Sequence, residues 1–416
     1  MKKIKIISII ISSLLTIAIL INMTGCVLKV QAADLMEGIV STYSGTIPEV
    51  NKTSAEKATD FALRLFKSSN QSDKNTLVSP LSVLAALSMT ANGAKGTTKT
   101  QMEQVLGMST DELNIFFKSY MNSLKNNEFS KLKLANSIWF TSDARFSVNK
   151  DFLQTNANYY EAGAYKAPFD DTTLKDINNW VYEHTDGMIS DILDKIPEDA
   201  IMYLVNALAF ESKWKDVYTQ DQIRKGNFTN LDGSKATVDF MHSIERNYLE
   251  DGKATGFVKY YEGKDYAFVA LLPNVGISVE EYISSLTGKH ISDMLSNSKS
   301  IKVEASIPKF ETSFDIELSG VLRDMGMTDA FSSQADFSGL GHSSTGNISI
   351  SRVIHNTFLS LTENGTKAGA ATVVEMRDEA YIEPSQRVYL DRPFVYMLIE
   401  TETNTPLFIG STLKLG

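Results

Sequence analysis

The sequence is poor in cysteine and histidine, and it contains no long run of basic residues. Its 416 residues include a single cysteine, Cys26, which excludes an internal disulfide, a cysteine-based zinc site and an iron–sulfur cluster. The five histidines lack metal-binding spacings, such as two histidines four residues apart on a helix. Lys and Arg number 40 against 50 Asp and Glu, and this net charge of −10 disfavours nucleic-acid binding. We therefore expect no metal, no cofactor and no nucleic-acid partner.

Motifs of common enzyme classes are also missing from the sequence. No Gly-x-Ser-x-Gly motif marks an α/β-hydrolase nucleophile, and no Walker lysine pattern marks a phosphate-binding loop. Hydrophobic residues make up 43% and charged residues 22%, which is typical of a folded globular protein. No repeat and no further linker follows residue 52. We predict a single domain over residues 53–416 that is not an enzyme.

The N-terminus has the plan of an export signal. Three lysines among the first five residues precede an apolar stretch over residues 6–21, which is shorter than the roughly 20 residues of a membrane-spanning helix. The following Met23-Thr24-Gly25-Cys26 resembles a bacterial lipobox, in which the cysteine receives a lipid. We predict an export signal over residues 1–25, lipid attachment at Cys26 and a tether over residues 26–52.

Two alternatives to lipid attachment remain open. Cleavage after Ala32 would discard Cys26 and give a plain secreted protein, and an uncleaved signal would itself be the anchor. Each of these interpretations places the protein outside the cytoplasm. An acylated Cys26 would hold it at the cell surface as a membrane lipoprotein.

The patterns along the rest of the chain mix helices and strands. Three helices are predicted. The first has helical spacing of apolar residues over residues 54–69, and the second begins at Ser79-Pro80 and ends at Asn92-Gly93. The third has an apolar stripe at residues 177, 180 and 181, with Gly187 as its C-terminal cap. Apolar runs predict strands at Leu132–Phe140, Met202–Phe210, Tyr266–Leu272, Lys302–Ile307 and Phe394–Glu400, with a hairpin tip at residues 401–404. Met202–Phe210 is apolar throughout most of its length, which predicts a central strand covered on both faces. This mixture predicts an α+β fold.

The segment from Glu363 to Pro384 is unusually rich in Gly, Ala and Thr in its first half. Read with the period of a strand, one face carries no charge; its members are Thr366, Ala368, Ala370, Thr372, Val374 and Met376. Lys367, Glu375 and Arg377 fall on the other face. Such a loop could enter a sheet as a half-buried strand. A flexible connector is the alternative interpretation.

A set of motifs extends from about Ser54 to the C-terminus. Its members are Val78-Ser79-Pro80-Leu81-Ser82 with Asn92-Gly93-Ala94, Leu204-Val205-Asn206-Ala207 with Lys213-Trp214, Ile307-Pro308-Lys309-Phe310, His355, Glu363-Asn364-Gly365-Thr366, Arg392-Pro393-Phe394 and Pro406-Leu407-Phe408-Ile409-Gly410. In this order and spacing they resemble the serpins, a family of serine protease inhibitors. The resemblance implies a bacterial, exported, inhibitory member with three β-sheets, about nine helices and an exposed reactive-centre loop.

The resemblance also implies a mechanism, that of a suicide substrate. A serine protease cleaves the loop and forms an acyl-enzyme, and the freed loop then inserts into the central sheet and carries the protease with it. Distortion of the protease active site would remove the oxyanion hole and the base alignment that deacylation needs. A non-inhibitory serpin, acting as a binding or chaperone-like surface protein, is the alternative. We expect a monomer in either case.

The resemblance assigns roles within the loop. Its hinge comprises Glu363, Gly365, Thr366, Ala368, Ala370 and Thr372, while Asn364 and Lys367 depart from the glutamates often found at their positions. Counting the usual loop length from Gly365 places the reactive bond at Glu379–Ala380, which predicts a glutamate-preferring protease. Arg377 would instead attract a trypsin-like enzyme, Asp378 an aspartate-specific one, and Met376 or Tyr381 a subtilisin-like one.

Two further clusters are implied by the resemblance. Ser79, Ser82, Asn206 and His355 match the shutter, a polar cluster beneath the part of the sheet that opens. Trp214 matches the breach, where the loop first enters, and Lys309 is expected to pair with Glu363. The role implied for these residues is control of conformation rather than catalysis.

Overall fold

The structure is a computed structural model that describes residues 30–124, 130–160, 162–189, 192–196, 200–344, 346–366 and 385–416. The compact unit considered below runs from Ala32 to Gly416. Among the described residues, no helix combines the length and the apolar character needed to cross a bilayer.

Nine α-helices lie within the described residues. They are α1 Lys52–Ser69, α2 Pro80–Ala91, α3 Gly96–Leu106, α4 Thr110–Ser123, α5 Lys150–Tyr159, α6 Asp171–His184, α7 Val279–Ser285, α8 Gly288–Ser296 and α9 Ser319–Asp324. All twelve residues of α2 are buried, as expected for a helix that is apolar all round. It packs against both large sheets of the molecule, so it forms the centre of the core.

The described strands number eighteen. They are β1 Ala33–Asp34, β2 Thr76–Val78, β3 Ser130–Thr141, β4 Phe146–Val148, β5 Gly163–Ala167, β6 Met202–Lys213, β7 Ile223–Thr229, β8 Lys235–Glu250, β9 Ala254–Tyr260, β10 Tyr266–Pro273, β11 Lys299–Pro308, β12 Phe310–Glu317, β13 Gly341–Ser343, β14 Arg352–Thr362, β15 Gly365–Thr366, β16 Gln386–Tyr389, β17 Phe394–Glu400 and β18 Pro406–Thr412.

These strands form three sheets. The main sheet has seven strands in the order β1-β5-β3-β6-β15-β14-β12. A second sheet has nine strands, in the order β16-β11-β8-β9-β10-β17-β18-β2 with β7 attached to β8, and β4 pairs with β13 in a small third sheet. The predicted α+β class, the three sheets and the number of helices are therefore confirmed in the described residues.

The main sheet differs between its two ends. At one end, here called the closed end, residues 203–206 of β6 pair directly and in parallel with residues 352–355 of β14. At the other, here called the hinge end, the short strand β15 lies between β6 and β14 and pairs antiparallel with both. The two central strands are thus already parted at the hinge end.

The predicted central strand lies where expected, since the nine residues from Met202 to Phe210 are all buried. The helix start at Ser79-Pro80 is also found, but the Ser79 side chain makes no capping hydrogen bond. The backbone N–H of Ser79 instead donates to the His355 ring at 3.0 Å. The position is therefore held by a contact across the core rather than by a local cap.

The boundary predicted at residue 53 lies inside the compact unit, which begins at Ala32. Residues 33–34 form an edge strand of the main sheet by pairing with β5. The backbone N–H of Thr42 donates to the Asn158 side chain at 2.8 Å, and the Tyr43 ring packs edge-on against Tyr159. From Ala32 onward, the segment predicted as a tether is therefore packed against the domain.

Candidate functional site

The hinge is a hairpin at the end of a long central strand. Strand β14 ends at Thr362, residues 363–364 form the turn, and β15 returns along β14 with Thr362 opposite Gly365 and Leu361 opposite Thr366. On its other side β15 pairs with Ser212 and Lys213 of β6. Two residues of the loop already occupy the position of a strand between β6 and β14.

Replacing Gly365 by any other residue would strain the backbone. Its φ is +144°, and a Cβ added there would lie 2.0 Å from the Ser212 carbonyl oxygen. The next residue, Thr366, is 1% exposed, and its hydroxyl lies 2.5 Å from the Tyr261 hydroxyl. The first inward-facing side chain of the loop is therefore small and hydrogen-bonded within the core.

The hairpin turn rests on a short segment that follows β6. The backbone N–H of Trp214 donates to the Asn364 carbonyl at 2.9 Å, and that of Tyr218 donates to the Glu363 carbonyl at 3.2 Å. The Trp214 indole N–H donates to the Thr362 carbonyl at 2.8 Å. We call residues 214–218 the cradle, because they hold the three carbonyls that precede β15.

Lys309 and Glu363 form the ion pair expected at the hinge end, with Nζ and Oε2 2.6 Å apart. The hydrogen bond from Lys309 lowers the pKa of the Glu363 carboxyl below its usual value, against the smaller effect of partial burial. Both side chains are about one third exposed, so the attraction between them is partly screened by solvent. The pair therefore connects the hinge turn with Lys309, between β11 and β12, and contributes little net stability.

A polar cluster lies beneath the closed end of the main sheet. His355 of β14 is opposite Asn206 of β6, and its Nδ1 lies 2.7 Å from the Asn206 Oδ1. The Ser82 hydroxyl donates to the same oxygen at 3.2 Å. Because Ser79 donates its N–H to Nε2 of His355, the proton of the neutral ring must be on Nδ1.

The His355 ring is uncharged in this setting. It is fully buried, and burial lowers the pKa of its imidazole from 6.5 to about 3. The Ser79 hydroxyl oxygen is buried with no hydrogen-bond partner among the described residues. The cluster therefore joins β6, β14 and α2 through neutral groups whose bonds can be exchanged when strands separate.

The comparisons with known proteins agree with this architecture. The profile of the family described as Serpin (serine protease inhibitor) matches residues 56–415. An uncharacterized serpin-like protein of Thermococcus kodakarensis is 30% identical over 389 residues, which cover 90% of each chain. The chain belongs to the serpin family.

Two solved structures of tengpin, a thermophilic serpin, extend the comparison. Its native state is 45% identical, with a TM-score of 0.89 over 93% of this chain and 100% of that one. Its latent state gives a TM-score of 0.79 at 43% identity, over 89% of this chain and 100% of that one. This serpin therefore matches the native form of that relative better than its latent form.

The structure brings together the serpin positions named for the breach and the shutter. Trp214, Lys309 and Glu363 meet at the hinge end, and Ser79, Ser82, Asn206 and His355 meet at the closed end. Several other predicted positions lie outside the described residues; they are Cys26, Ala368, Ala370, Thr372, Met376, Arg377, Asp378, Glu379, Ala380 and Tyr381. Their assignments stay predictions.

The structure adds residues to this site that the sequence motifs do not contain. Tyr261 stacks on Trp214 with ring centroids 4.4 Å apart and contacts Thr366. Lys259 and Glu245 form a buried ion pair beside Trp214 and Tyr218. The one signal in the sequence is a lysine near the end of a largely apolar run at residues 254–260. Among the described residues, no group of three or more His, Cys, Asp or Glu side chains could hold a metal ion.

Proposed function

We propose that this serpin is an inhibitor of serine proteases that acts as a suicide substrate. The protease would form an ester between its active-site serine and the residue before the cleaved bond, with release of the new amino terminus. The freed loop would then enter the main sheet as a strand between β6 and β14. Strand addition of this kind is a known property of serpins, and it can supply the energy that distorts the bound protease.

The observation that carries this proposal is the partial opening of the main sheet. At the hinge end β6 and β14 are already separated by two residues of the loop, while at the closed end they pair directly. A strand can therefore grow from Thr366 toward the closed end, since each added residue finds two neighbouring strands to pair with. The buried polar cluster at the closed end is the barrier that such growth must open.

The side chains at the start of this path also support inhibition. Gly365 and Thr366 are small, and Thr366 is accommodated in the core at 1% exposure. The residues that would follow on the same face are Ala368, Ala370 and Thr372, which are equally small. A strand with these side chains can enter without burying a charge. A non-inhibitory role would not require this pattern.

The proposed reactive bond is Glu379–Ala380, which implies a target with a basic pocket for glutamate; Met376 or Tyr381 would instead suit a subtilisin-like enzyme. If the protease instead cleaves after Arg377, the target would be trypsin-like, and the reactive loop of this serpin would be two residues shorter than usual.

We also propose that the protein acts at the cell surface, attached through a lipid on Cys26. The intact mass of the exported protein tests this attachment, because an acylated Cys26 adds a mass that secreted, unmodified protein lacks.

The test of inhibition is a denaturing gel after reaction with glutamate-specific, subtilisin-like and trypsin-like serine proteases. An inhibitor gives an adduct with the protease that survives SDS, together with a small C-terminal fragment. Mass spectrometry of that fragment identifies its first residue, which we expect to be Ala380. Complete cleavage without adduct across the panel would contradict the inhibitory proposal. A fragment that begins at Asp378 would assign the bond to Arg377 instead.

A further inference from the structure

A buried ion pair lies under the cradle. Lys259 of β9 is 2% exposed at its side chain, and its ammonium lies 3.0 Å from the Glu245 carboxylate, whose side chain is 12% exposed. Burial is the largest single influence on the pKa of Lys259 and lowers it, but Glu245, Tyr218 and Asp216 together raise it by more, so the net pKa is above its ordinary value. The ammonium therefore remains charged although it is removed from water.

The contacts of Lys259 are made to the cradle. Its ammonium lies 4.4 Å from the ring centroid of Tyr218 and 5.4 Å from that of Trp214, and both distances are typical of cation–π contacts. It also donates to the backbone carbonyl of Asp216 at 3.3 Å. One cation thus contacts the first, middle and last residues of the cradle.

The Glu245 side of the pair closes the network. The Ser243 hydroxyl donates to the Glu245 carboxylate at 2.7 Å, and the same hydroxyl lies 3.3 Å from the Tyr218 hydroxyl. The contacts therefore form a closed network of four side chains, those of Lys259, Glu245, Ser243 and Tyr218. This network orients Tyr218, whose backbone N–H donates to the Glu363 carbonyl.

A continuous series of contacts connects this pair with the first inserted residue. Lys259 contacts the Trp214 ring, Trp214 stacks on Tyr261, and the Tyr261 hydroxyl contacts the Thr366 hydroxyl. A buried ion pair contributes little net stability, because desolvation offsets the attraction, but it can fix one geometry. The position of this pair is therefore better explained by the geometry of the cradle than by stability.

We propose that Lys259 and Glu245 are positioning residues for loop insertion, which hold the cradle so that the turn at residues 363–364 starts β15 in register. This inference rests on the proposed inhibitory function. Without the cation, the cradle and the turn would fluctuate, and insertion after cleavage would begin more slowly. The acyl-enzyme would then have more time to hydrolyse, and more inhibitor would be consumed for each protease trapped.

The experiment compares Lys259→Met with a double variant, Lys259→Met with Glu245→Met, and with Lys259→Arg. Three quantities are measured: the urea midpoint, hydrogen exchange at residues 214–218 and 362–366 in uncleaved protein, and the number of inhibitor molecules consumed per trapped protease. We expect Lys259→Met to lower the midpoint, to accelerate exchange in both segments and to raise consumption several-fold. Lys259→Arg keeps the charge and should stay close to wild type in all three.

The double variant separates positioning from stability. It leaves no orphan charge, so its urea midpoint should return toward wild type, while exchange and consumption stay raised. If exchange and consumption also return to wild type, the pair is merely structural and the proposal is wrong. Asp251→Asn is the matched control, because Asp251 pairs with His290 beyond the end of β9 that is far from Lys259. This variant should change neither the hydrogen exchange of the two segments nor the number of inhibitor molecules consumed per trapped protease.

The exchange measurement needs no protease, so it decides the proposal independently of inhibition. If wild-type protein forms no SDS-resistant adduct, the proposed function fails. Faster exchange in the double variant would even then support the positioning role, and unchanged exchange would overturn it.

Discussion

Thr366 is the last residue of the hinge that the structure describes before residue 385. Its side chain is buried and contacts Tyr261, so any replacement must fit the same enclosed position. We expect Thr366→Arg to fold, because the described part of β15 contributes two residues to the sheet and can remain outside it. Insertion after cleavage would then require a guanidinium to enter the sheet without a partner, which costs several kcal/mol. The variant should be cleaved as a substrate and give little adduct on a denaturing gel.

Thr366→Ala is the matched control, because it removes the hydroxyl while keeping the side chain small. It should retain the adduct. If Thr366→Arg still traps protease stoichiometrically, the assignment of this residue to the inward face of the inserted strand is wrong.

His355 makes stability depend on pH through its burial. The unfolded chain takes up a proton on this residue near pH 6.5, whereas the folded protein does so near pH 3. The unfolded state therefore binds more protons between these values, and stability falls as pH decreases through the window. The expected loss from this residue is about 1.4 kcal/mol per pH unit. Urea unfolding between pH 4 and pH 7.5 measures it.

His355→Gln removes the titrating group and should flatten that pH dependence. The same substitution at the exposed His342 is the matched control for loss of an imidazole. Equal slopes in wild type and His355→Gln would contradict the buried, neutral state of the ring. The adduct assay on the same variant reports whether the cluster at the closed end also affects insertion.

At the scale of elements, the strands with continuous apolar runs are those that the sequence predicts well. Met202–Phe210 and Phe394–Glu400 both lie within observed strands, since burial on two faces leaves a plain pattern. Strand β9 lies outside the predicted set, because its glycine and its lysine interrupt the run. The predicted C-terminal cap at Gly187 is wrong by two residues, because the helix ends at His184 with Thr185 as its cap. Gly187 nevertheless has a left-handed φ of +72°, and its N–H donates to the Tyr182 carbonyl in the last turn.

The parts of the site that sequence could not predict are contacts between distant elements. In the sequence, Lys259 cannot be distinguished from a surface lysine, because its burial results from contacts among β8, β9 and the cradle. Tyr261 contacts Thr366 across 105 positions of sequence, which no local pattern indicates. By contrast, Trp214, Lys309 and His355 are found because they lie in motifs that resemble those of serpins.

The hinge itself is only partly predictable. The alternation of residues 366–376 indicates a loop that can become a strand, but it does not say how far that strand has formed. In the structure β15 comprises two residues, Gly365 and Thr366.

At the scale of the whole molecule, the proposed mechanism requires the main sheet to accept one more strand between β6 and β14, whose direct pairing at the closed end must first open. Each backbone hydrogen bond formed on insertion contributes about 1 kcal/mol net. A strand that pairs on both sides over most of the sheet would gain on the order of 10 kcal/mol. The uncleaved protein would then be the less stable form, held by a kinetic barrier.

The most direct measurement is thermal unfolding before and after a single cut within residues 367–384, with the cut located by mass spectrometry. If the cut loop inserts, the midpoint should rise by on the order of 10 °C. The crystal structure of the cut form should show an added strand between β6 and β14. An unchanged midpoint, with β6 and β14 still paired at residues 203–206 and 352–355, would contradict the account.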